Sequence, residues 1–206
     1  MTEPKSNVER LEREWRGGLG DAYVERNIDS ANYARRGAFW QSIIDRTSPA
    51  KVLEVGCNVG GNLRWFIDRV PGGVHGVDIN PRSIDVLREL VPEVQAAVGS
   101  ARRLDFPDES FDLVFTVAVL IHVPDEGLAE AIDELVRTSS RWILIAEYFA
   151  PEPIVADYRG VPNSIFKRDY GAIMLEAHPE LELVDRGLLT ADDGLDEVHW
   201  WLIRRP

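Results

Sequence analysis

The stretch VLEVGCNVGGN, residues 52–62, constrains the fold of this chain more than any other. An apolar, β-branched run stops at Gly56, and the pair Gly60-Gly61 follows four residues later. A strand, a glycine turn and a helix form the unit that builds parallel α/β sheets and holds nucleotide ligands at the turn. The stretch therefore predicts a nucleotide-type ligand at the carboxyl end of the first strand.

Strand-like and helix-like segments alternate through the rest of the chain. Short apolar runs typical of buried strands separate segments whose apolar residues are three and four apart, as on one helical face. The predicted strands cover 51–55, 73–78, 93–98, 111–119, 141–149, 181–190 and 197–206, and the predicted helices cover 62–70, 81–91, 125–139 and 166–179. This order predicts right-handed crossovers and a mostly parallel sheet, while the short connection before the last run predicts an antiparallel last strand.

The segments outside this core are predicted to cover the ligand. Apolar spacing at 8–15 and at 33–44 predicts two N-terminal helices. Residues 150–165 form an irregular, proline-containing piece after the fifth strand, which places them as a lid over the carboxyl edge of the sheet. The predicted fold class is α/β, with a Rossmann-like, seven-stranded, mostly parallel sheet in a single domain over residues 1–206. Its expected parts are a helical cover at 1–48, a ligand-binding core at 49–150, and a lid, helix and terminal hairpin at 151–206.

Composition and charge argue against several classes of partner. The formal net charge of −12 at pH 7 repels phosphate backbones and anionic membranes, so we expect neither nucleic acid nor a membrane as partner. No apolar run reaches about 18 residues, and the N-terminus lacks the apolar core of a signal peptide, so we expect a cytoplasmic protein. The one cysteine, Cys57, excludes an internal disulfide. We expect no metal, since Asp192 and Asp193 are interpreted as a solvated turn, and a monomer and a homodimer stay equally open.

The residues within the glycine loop distinguish between nucleotide ligands. A phosphate-binding P-loop requires Lys and then Ser or Thr after its last glycine, whereas Gly61 is followed by Asn62 and Leu63. A dinucleotide fingerprint requires a second glycine where this chain has Asn58, whose side chain would fill the space of the pyrophosphate. The loop therefore argues against a P-loop nucleotide and against NAD.

Two acidic residues give the positive part of the prediction. Glu54 stands two residues before Gly56, where its carboxylate would repel a pyrophosphate and suit a ligand with an ammonium and a sulfonium group. Asp78 ends the second predicted strand, where an acid accepts hydrogen bonds from both ribose hydroxyls of an adenosine. Together they indicate a nucleoside cofactor without phosphate.

Several motifs of the chain resemble those of a known enzyme superfamily. The resemblance to class I S-adenosylmethionine (SAM)-dependent methyltransferases covers roughly residues 50–150 and is carried by Glu54-x-Gly56-x-x-x-Gly60, Asp78, GSARRLDFPDESFDLV and VLIHVP. A closer resemblance, to the methylases associated with pseudaminic acid biosynthesis, covers nearly the whole chain and is carried by WRGGLGDAYVERN, VLIHVPDE, ILIAEYFAPEP, YRG, FKRDY, ELELVDRG and WWLIRR. The resemblance implies the class I methyltransferase fold and SAM as the cofactor.

The resemblance and the loop residues together assign a cofactor-binding set. It consists of Tyr23, Arg26, Glu54, Gly56, Cys57, Asn58, Gly60, Asn62, Asp78, Ile79, Ser100, Ala101 and Val117. Tyr23 and Arg26 are expected to close over the methionine end, the alternative being a plain amphipathic segment. Many family members carry Asp where this chain has Ser100, so the adenine contact is assigned to the Ser100 hydroxyl or to the backbone of Ala101. Cys57 is interpreted as a small packing residue of the loop.

The predicted acceptor end contains a histidine and a cationic cluster. His122 lies just past the fourth predicted strand, where an imidazole with an ordinary pKa of about 6.5 suits a general base. The alternative is an imidazole bonded to a loop carbonyl. The substrate-binding set assigned to an anionic group of the acceptor is Tyr158, Arg159, Lys167 and Arg168, the alternative being solvated surface charges.

The expected function is transfer of the methyl group of SAM to an O or N atom of a small polar, anionic metabolite. An acidic sugar or an amino-acid derivative fits this description. Two alternatives stay open: a cyclase that consumes SAM and releases methylthioadenosine, and a non-catalytic SAM-binding protein. An NAD oxidoreductase is disfavoured by Glu54 and Asn58.

Overall fold

A mostly parallel sheet forms the centre of the protein, and the computed structural model places seven strands in it among the residues it describes, 6–28 and 32–206. In chain order the strands are β1 (Val52–Val55), β2 (Val74–Asp78), β3 (Gln95–Val98), β4 (Phe111–Val117), β5 (Ser139–Glu147), β6 (Ile154–Tyr158), β7 (Val161–Lys167), β8 (Glu182–Leu189) and β9 (Val198–Arg204). The order across the sheet is β3-β2-β1-β4-β5-β9-β8, while β6 and β7 form a separate hairpin. β9 is antiparallel to both of its neighbours, and every other adjacent pair in the sheet is parallel. The predicted fold class is confirmed.

Helices precede the sheet and connect its strands. They are α1 (Asn7–Arg16), α2 (Gly18–Asn27), α3 (Asn32–Arg35), α4 (Gly37–Thr47), α5 (Pro81–Leu90), α6 (Asp125–Thr138) and α7 (Tyr170–Ala177). α5 starts with Pro81 in its first turn, and the Asn80 side chain caps it by accepting a hydrogen bond from the Ser83 N–H at 2.9 Å. In the described part of the chain, none of the helices combines the length and the apolar composition needed to cross a membrane.

Strand β4 shows how the core forms on both faces of the sheet. Successive side chains of a strand point to opposite faces. Leu113 and Phe115 therefore join one apolar cluster with Trp40 and Phe66, whereas Val114 joins the cluster on the other face. Because both faces are covered, β4 is a nearly continuous apolar run and not an alternating one. Its central position leaves its carboxyl end beside that of β1, at one edge of the sheet.

The segment predicted as an irregular lid is a β-hairpin, so the prediction of irregular structure was wrong. β6 and β7 pair with Tyr158 opposite Val161, which leaves Arg159 and Gly160 as a two-residue turn. Both turn residues have positive φ, 49° and 82°, as the type I′ turn of tight hairpins requires. The prolines in this segment argued against strands, but Pro162 lies in a two-stranded ribbon, where a free edge tolerates the missing N–H.

The segment 62–70, predicted as a helix, contains only a short 3₁₀ turn, Leu63–Trp65. Leu63 and Phe66 are both fully buried. Residues three apart face the same side in a 3₁₀ turn as well as in an α-helix. The apolar spacing therefore did not distinguish the two conformations.

The N-terminal cover contains more helices than predicted. α1 agrees with the spacing at 8–15, but α2 follows it directly, and the helix predicted at 33–44 is divided at Arg36 into α3 and α4. The apolar spacing continues across Arg36, so it could not reveal the break. The helix predicted at 166–179 shortens to α7, because β7 extends to Lys167.

Replacing Trp40 by alanine should lower the free energy of unfolding by about 3–5 kcal/mol, the range for aromatic-to-alanine changes in cores. Trp40 is 1% exposed, and its ring lies 5.3 Å from Phe66 and 4.8 Å from Phe115, centroid to centroid. Urea unfolding followed by circular dichroism measures the change. Leu188→Ala, at a position 47% exposed on β8, is the control and should stay within about 0.5 kcal/mol. A loss below about 1 kcal/mol for Trp40→Ala would contradict this account of the core.

Candidate functional site

A cavity lies at the carboxyl edge of the sheet, with residues of α1, α2 and α3 in the opposite wall. Ligands of open α/β sheets bind at this edge. Of the predicted site residues, the wall contains Tyr23, Glu54, Gly56, Cys57, Asn58, Asn62, Asp78, Ile79, Ser100, Ala101, Val117 and His122. Within residues 6–28 and 32–206, no group of three or more His, Cys, Asp or Glu side chains is arranged to hold a metal ion. The fold thus brings the loop, the strand ends and the predicted histidine to one place.

Two residues of the predicted cofactor set lie outside the wall. Arg26 is exposed, and its guanidinium lies over the Tyr23 ring at 5.3 Å from the centroid. Gly60 lies on the side of the loop that faces α5. Its φ is 76°, and a Cβ there would lie 3.1 Å from the Leu87 side chain. Gly60 therefore lets the loop approach α5 closely instead of facing the cavity.

Glu54 is buried at the end of β1, with its carboxylate in the cavity wall. One oxygen, Oε1, accepts a hydrogen bond from Asn62 Nδ2 at 2.7 Å, while Oε2 has no partner among the described residues. Burial raises the pKa of Glu54 to about 8, although the Asn62 hydrogen bond and the Arg36 charge oppose this rise. A buried carboxyl group with a free oxygen is suited to receive a cationic donor such as an ammonium group.

Asp78 ends β2 and holds the glycine loop in place. Its Oδ2 accepts from the Asn58 N–H and its Oδ1 from the Asn80 N–H, both at 2.8 Å. Burial raises the pKa of Asp78, and these backbone hydrogen bonds oppose the rise. Gly56 has a φ of 79°, and a Cβ there would lie 2.2 Å from the Val119 side chain, so only glycine allows this turn. Each carboxylate oxygen of Asp78 has a second lone pair, which leaves it able to accept from a pair of hydroxyl groups.

Arg36 also lines the cavity, and the sequence prediction missed it. Its Nη1 donates to Asn62 Oδ1 at 2.8 Å and its Nη2 to the Gly194 carbonyl at 3.1 Å. Its Nε is buried without a hydrogen-bond partner, and no carboxylate of the described residues forms an ion pair with it. Its position, three residues after Tyr33 and four before Trp40, was the available signal, because it puts a cation on an apolar helical face. A guanidinium held in this way is suited to bind a carboxylate.

The opposite end of the cavity contains Glu12 of α1, which was not predicted either. Its Oε1 accepts from Ser100 Oγ at 2.5 Å and from Arg102 Nε at 3.0 Å, and its Oε2 accepts from Arg102 Nη2 at 3.1 Å. Burial alone would raise the pKa of Glu12, but the hydrogen bonds from Arg102 and Ser100 lower it. The carboxylate is therefore ionised at neutral pH.

His122 lies in the short 3₁₀ turn Leu120–His122 and faces the cavity. Its Nδ1 lies 2.8 Å from the Ser164 carbonyl of β7, so Nδ1 carries the hydrogen and donates it, and Nε2 keeps a free lone pair. Burial lowers the pKa of His122 to about 4, and the bond to Ser164 offsets only part of this effect. The ring lies 4.4 Å from Trp15 and 5.2 Å from Tyr158, centroid to centroid. The imidazole is thus a neutral hydrogen-bond acceptor at pH 7.

Glu147 holds the turn that carries His122. It is fully buried at the end of β5 and accepts backbone N–H bonds from Val119 and Leu120 at 2.9 Å and from Ile121 at 3.1 Å. Burial raises the pKa of Glu147 to about 7, against the opposing effect of these three bonds. The side chain satisfies backbone donors that would otherwise be buried without partners, and so fixes the position of the turn.

The predicted cationic cluster does not line the cavity as a group. Arg168 is buried and donates to the Val123 carbonyl at 3.1 Å and to Asp125 Oδ1 at 2.5 Å, which fastens β7 to the start of α6. Lys167 Nζ lies over the Tyr148 ring at 5.5 Å from the centroid. Arg159 is exposed on the hairpin turn, with its guanidinium over the Tyr158 ring at 5.5 Å. Arg168 is buried and its guanidinium is hydrogen-bonded within the protein, so the structure supports a structural role for it and not a role in ligand binding.

Residues 52–140 match the methyltransferase domain family. The match begins at β1 and ends at the start of β5. It therefore contains the glycine loop, Asp78, Ser100 and His122, which line the cavity.

A curated relative that is also a methyltransferase matches the chain over a longer segment. The chain is 32% identical over 117 residues to 2-methyl-6-phytyl-1,4-hydroquinone methyltransferase of Synechocystis, which is 54% of this chain and 37% of that protein. The chain spans less than half the length of the curated relatives it matches. The similarity therefore concerns a shared domain.

Solved structures extend the likeness to the whole fold. The 1,6-didemethyltoxoflavin-N1-methyltransferase of Burkholderia thailandensis, solved with 1,6-didemethyltoxoflavin and S-adenosylhomocysteine, superposes with a TM-score of 0.75 at 15% identity, covering 100% of this chain and 93% of that one. The magnesium protoporphyrin IX methyltransferase of Synechocystis PCC 6803, solved with SAM, superposes with a TM-score of 0.72 at 14% identity, covering 100% of both chains. At such low identity the likeness establishes the fold.

The low pKa of His122 leads to a testable expectation for its titration. Its imidazole should stay neutral as the pH falls from 7 to about 5, because burial lowers the pKa from 6.5 to about 4. The unfolded chain binds a proton at this histidine in that window and the folded protein does not, so this group lowers the free energy of unfolding as the pH falls from about 6.5 towards 4. An NMR titration of the imidazole signals, assigned with a His122→Asn variant, measures the midpoint. A midpoint at or above 6.5 would show that the ring is not buried in solution.

The superposed structures confirm the predicted fold. Those two enzymes were solved with S-adenosylhomocysteine and with SAM, the cofactor that the sequence predicts for this chain. The comparisons do not show the closer resemblance to the methylases associated with pseudaminic acid biosynthesis. The cavity agrees with the match, because the Glu54 carboxyl group and the Arg36 guanidinium at one end suit an amino acid and Asp78 suits a ribose. Residues 52–140 thus resemble a methyltransferase domain, within a chain that has the fold of the superposed SAM-dependent methyltransferases.

Proposed function

We propose that the protein transfers the methyl group of SAM to an O or N atom of a small polar acceptor with an acidic group, such as an acidic sugar or an amino-acid derivative. The single observation that carries the proposal is the cavity that Glu54, Arg36 and Asp78 line together. A carboxyl group and a guanidinium that do not neutralise each other match the ammonium and the carboxylate of an amino acid. The strand-end carboxylate beside them matches the ribose of a nucleoside.

The residues of the cavity divide into a cofactor end and an acceptor end. Glu54 and Arg36 hold the amino-acid part of the cofactor, and Asp78 holds the ribose. When bound, SAM supplies a methyl group that is already activated by the positively charged sulfur. The chain therefore needs mainly to align the acceptor and to exclude water.

The acceptor end is formed by aromatic rings around His122. Trp15 lies 5.6 Å from Tyr23 and 4.4 Å from His122, centroid to centroid, and Tyr158 lies 5.2 Å from His122. These rings shield the site from water and provide flat surfaces for a small acceptor. His122 Nε2 accepts a hydrogen bond from the O–H or N–H of the acceptor and so orients its lone pair. Because the pKa of His122 is about 4, the imidazole orients the acceptor but does not keep the proton that the acceptor loses on methylation, and this proton passes to solvent.

The acidic group of the acceptor is assigned to Arg159. Of the predicted cations, Arg159 has an exposed guanidinium and forms no ion pair with any described residue. It stacks on Tyr158, whose ring contacts His122, and it thus stands at the rim beside the acceptor end. A guanidinium there can bind a carboxylate or phosphate in bidentate geometry.

Product analysis tests the proposed function. The purified protein is incubated with SAM and a panel of acidic sugars and amino-acid derivatives, and the products are identified by mass spectrometry. S-adenosylhomocysteine formed together with a methylated acceptor supports the proposal. Methylthioadenosine as the product would indicate a cyclase, and tight SAM binding without any product would indicate a non-catalytic protein; either result overturns the proposed function.

Replacing Asp78 by asparagine should weaken binding of S-adenosylhomocysteine by about tenfold or more, since one charge-assisted hydrogen bond is worth about 1.5–3 kcal/mol. Asparagine keeps the size of the side chain but can accept only one of the two backbone N–H bonds, so circular dichroism must first show that the variant is folded. Titration calorimetry measures the Kd. Asp85→Asn is the matched control, because Asp85 lies exposed on α5 with only a 3.7 Å ion pair to Arg88. An unchanged Kd for Asp78→Asn would remove Asp78 from the ribose site.

Replacing Arg36 by glutamine should weaken binding of S-adenosylhomocysteine by about tenfold or more and leave binding of 5′-methylthioadenosine unchanged. Only the first ligand carries the amino-acid carboxylate that Arg36 is assigned to bind. Calorimetry with both ligands measures the difference. Arg159→Gln is the matched control, since Arg159 also stacks on a tyrosine but outside the cavity wall, and it should affect neither ligand. Equal weakening of both ligands by Arg36→Gln would show that Arg36 supports the shape of the cavity and not the carboxylate.

A further inference from the structure

The end of the cavity next to Ser100, where the adenine base of SAM is assigned, is called the base end. It carries a carboxylic acid that belongs to helix α1 of the cover and not to the sheet. Ser100 follows β3, and the adenine contact was assigned from the sequence to its hydroxyl or to the backbone of Ala101. The Ser100 hydroxyl already donates its hydrogen to Glu12 Oε1, at 2.5 Å. Glu12 lies in α1 and lines the cavity beside Ser100. The carboxylate at this end is therefore that of Glu12.

The Glu12 carboxylate is held in one orientation and keeps a free acceptor site. Arg102 donates to both of its oxygens, at 3.0 and 3.1 Å, and is itself fixed on its other side by Glu130 at 2.6 Å. Oε1 accepts two hydrogen bonds and Oε2 accepts one. Since a carboxylate oxygen accepts two, Oε2 can take one more donor.

The surroundings of this carboxylate suit a flat ring. Val8 and Leu11 of α1 and Ile79 after β2 add apolar side chains to the wall, and Ala101 lies next to Ser100. An apolar slot with one ionised acceptor at its edge binds a planar heterocycle that presents an N–H donor there. The exocyclic amine of adenine is such a donor.

We propose that Glu12 is a specificity-determining residue that accepts a hydrogen bond from the adenine amine of the cofactor. The inference rests on the proposed function, because it takes SAM as the ligand. Hypoxanthine carries a carbonyl oxygen in place of this amine, so the Glu12 carboxylate disfavours it. The contact belongs to α1, and adenine is therefore recognised only when the cover helix lies against the core.

The test compares S-adenosylhomocysteine with S-inosylhomocysteine, which differ in the base alone. Their Kd values are measured by calorimetry for the wild type, Glu12→Gln and Glu130→Gln. The wild type should prefer the adenine ligand by roughly tenfold or more. Glu12→Gln should bring this ratio close to one, since an amide can donate to the carbonyl oxygen. Glu130→Gln, which removes the other partner of Arg102 outside the cavity wall, should keep the wild-type ratio.

A second variant separates base recognition from a structural role of the ion pair. Adding Ser100→Asp to the Glu12→Gln protein returns a carboxylate to the same end of the cavity and should restore the preference for adenine. A ratio that Glu12→Gln leaves unchanged, with both ligands weakened equally, would mean that Glu12 only fastens α1 and would overturn the inference. A wild type that binds S-adenosylhomocysteine without preferring it overturns this inference alone. A wild type that binds neither ligand overturns the proposed function with it.

Discussion

The side-chain amide of Asn62 is the interaction on which the cofactor end of the cavity depends. Its Nδ2 donates to the Glu54 carboxyl group at 2.7 Å, and its Oδ1 accepts from Arg36 at 2.8 Å and from the Trp40 indole at 3.3 Å. The amide thus lies between an acid and a cation and is hydrogen-bonded to both. Because neither is neutralised by the other, both stay available to a ligand that carries an ammonium and a carboxylate. The bond to Trp40 ties this arrangement to the buried core.

The same arrangement makes the stability of the free protein depend on pH. Burial raises the pKa of Glu54 from 4.5 to about 8, so between these values the folded protein holds a proton that the unfolded chain releases. The contribution of this group to stability therefore decreases as the pH rises through that window. A bound ammonium group favours the ionised carboxylate, so ligand binding and release of the proton are linked. A bound ammonium group thus stabilises the ionised Glu54 carboxylate at the polar end of the cavity.

The residues that could be predicted from the sequence stand at the ends of strands. A βα pattern places Asp78 and the glycine loop at the carboxyl edge by chain order alone, and the same pattern predicted the sheet. Glu12 and Arg36 reach the cavity from the N-terminal helices, whose docking depends on partners far along the chain, Ser100 and Asn62. No local pattern contains such a pairing. The β6–β7 hairpin was missed for a local reason. The prolines argued against strands, and of the two turn residues with positive φ only Gly160 is a type that favours such a turn.

Helix α1 connects the two ends of the cavity. Arg10 donates to the Pro162 carbonyl of β7 at 2.9 Å, Glu12 contacts the segment after β3, and the Trp15 ring lies 4.4 Å from His122. These three residues belong to one helix of 10 residues, so a displacement of α1 as a rigid helix would move all three. Opening the base end therefore also separates α1 from the hairpin and from His122. In the proposed function, enclosure of the cofactor and alignment of the acceptor are then one event, which is the arrangement that transfer by orientation and exclusion of water requires.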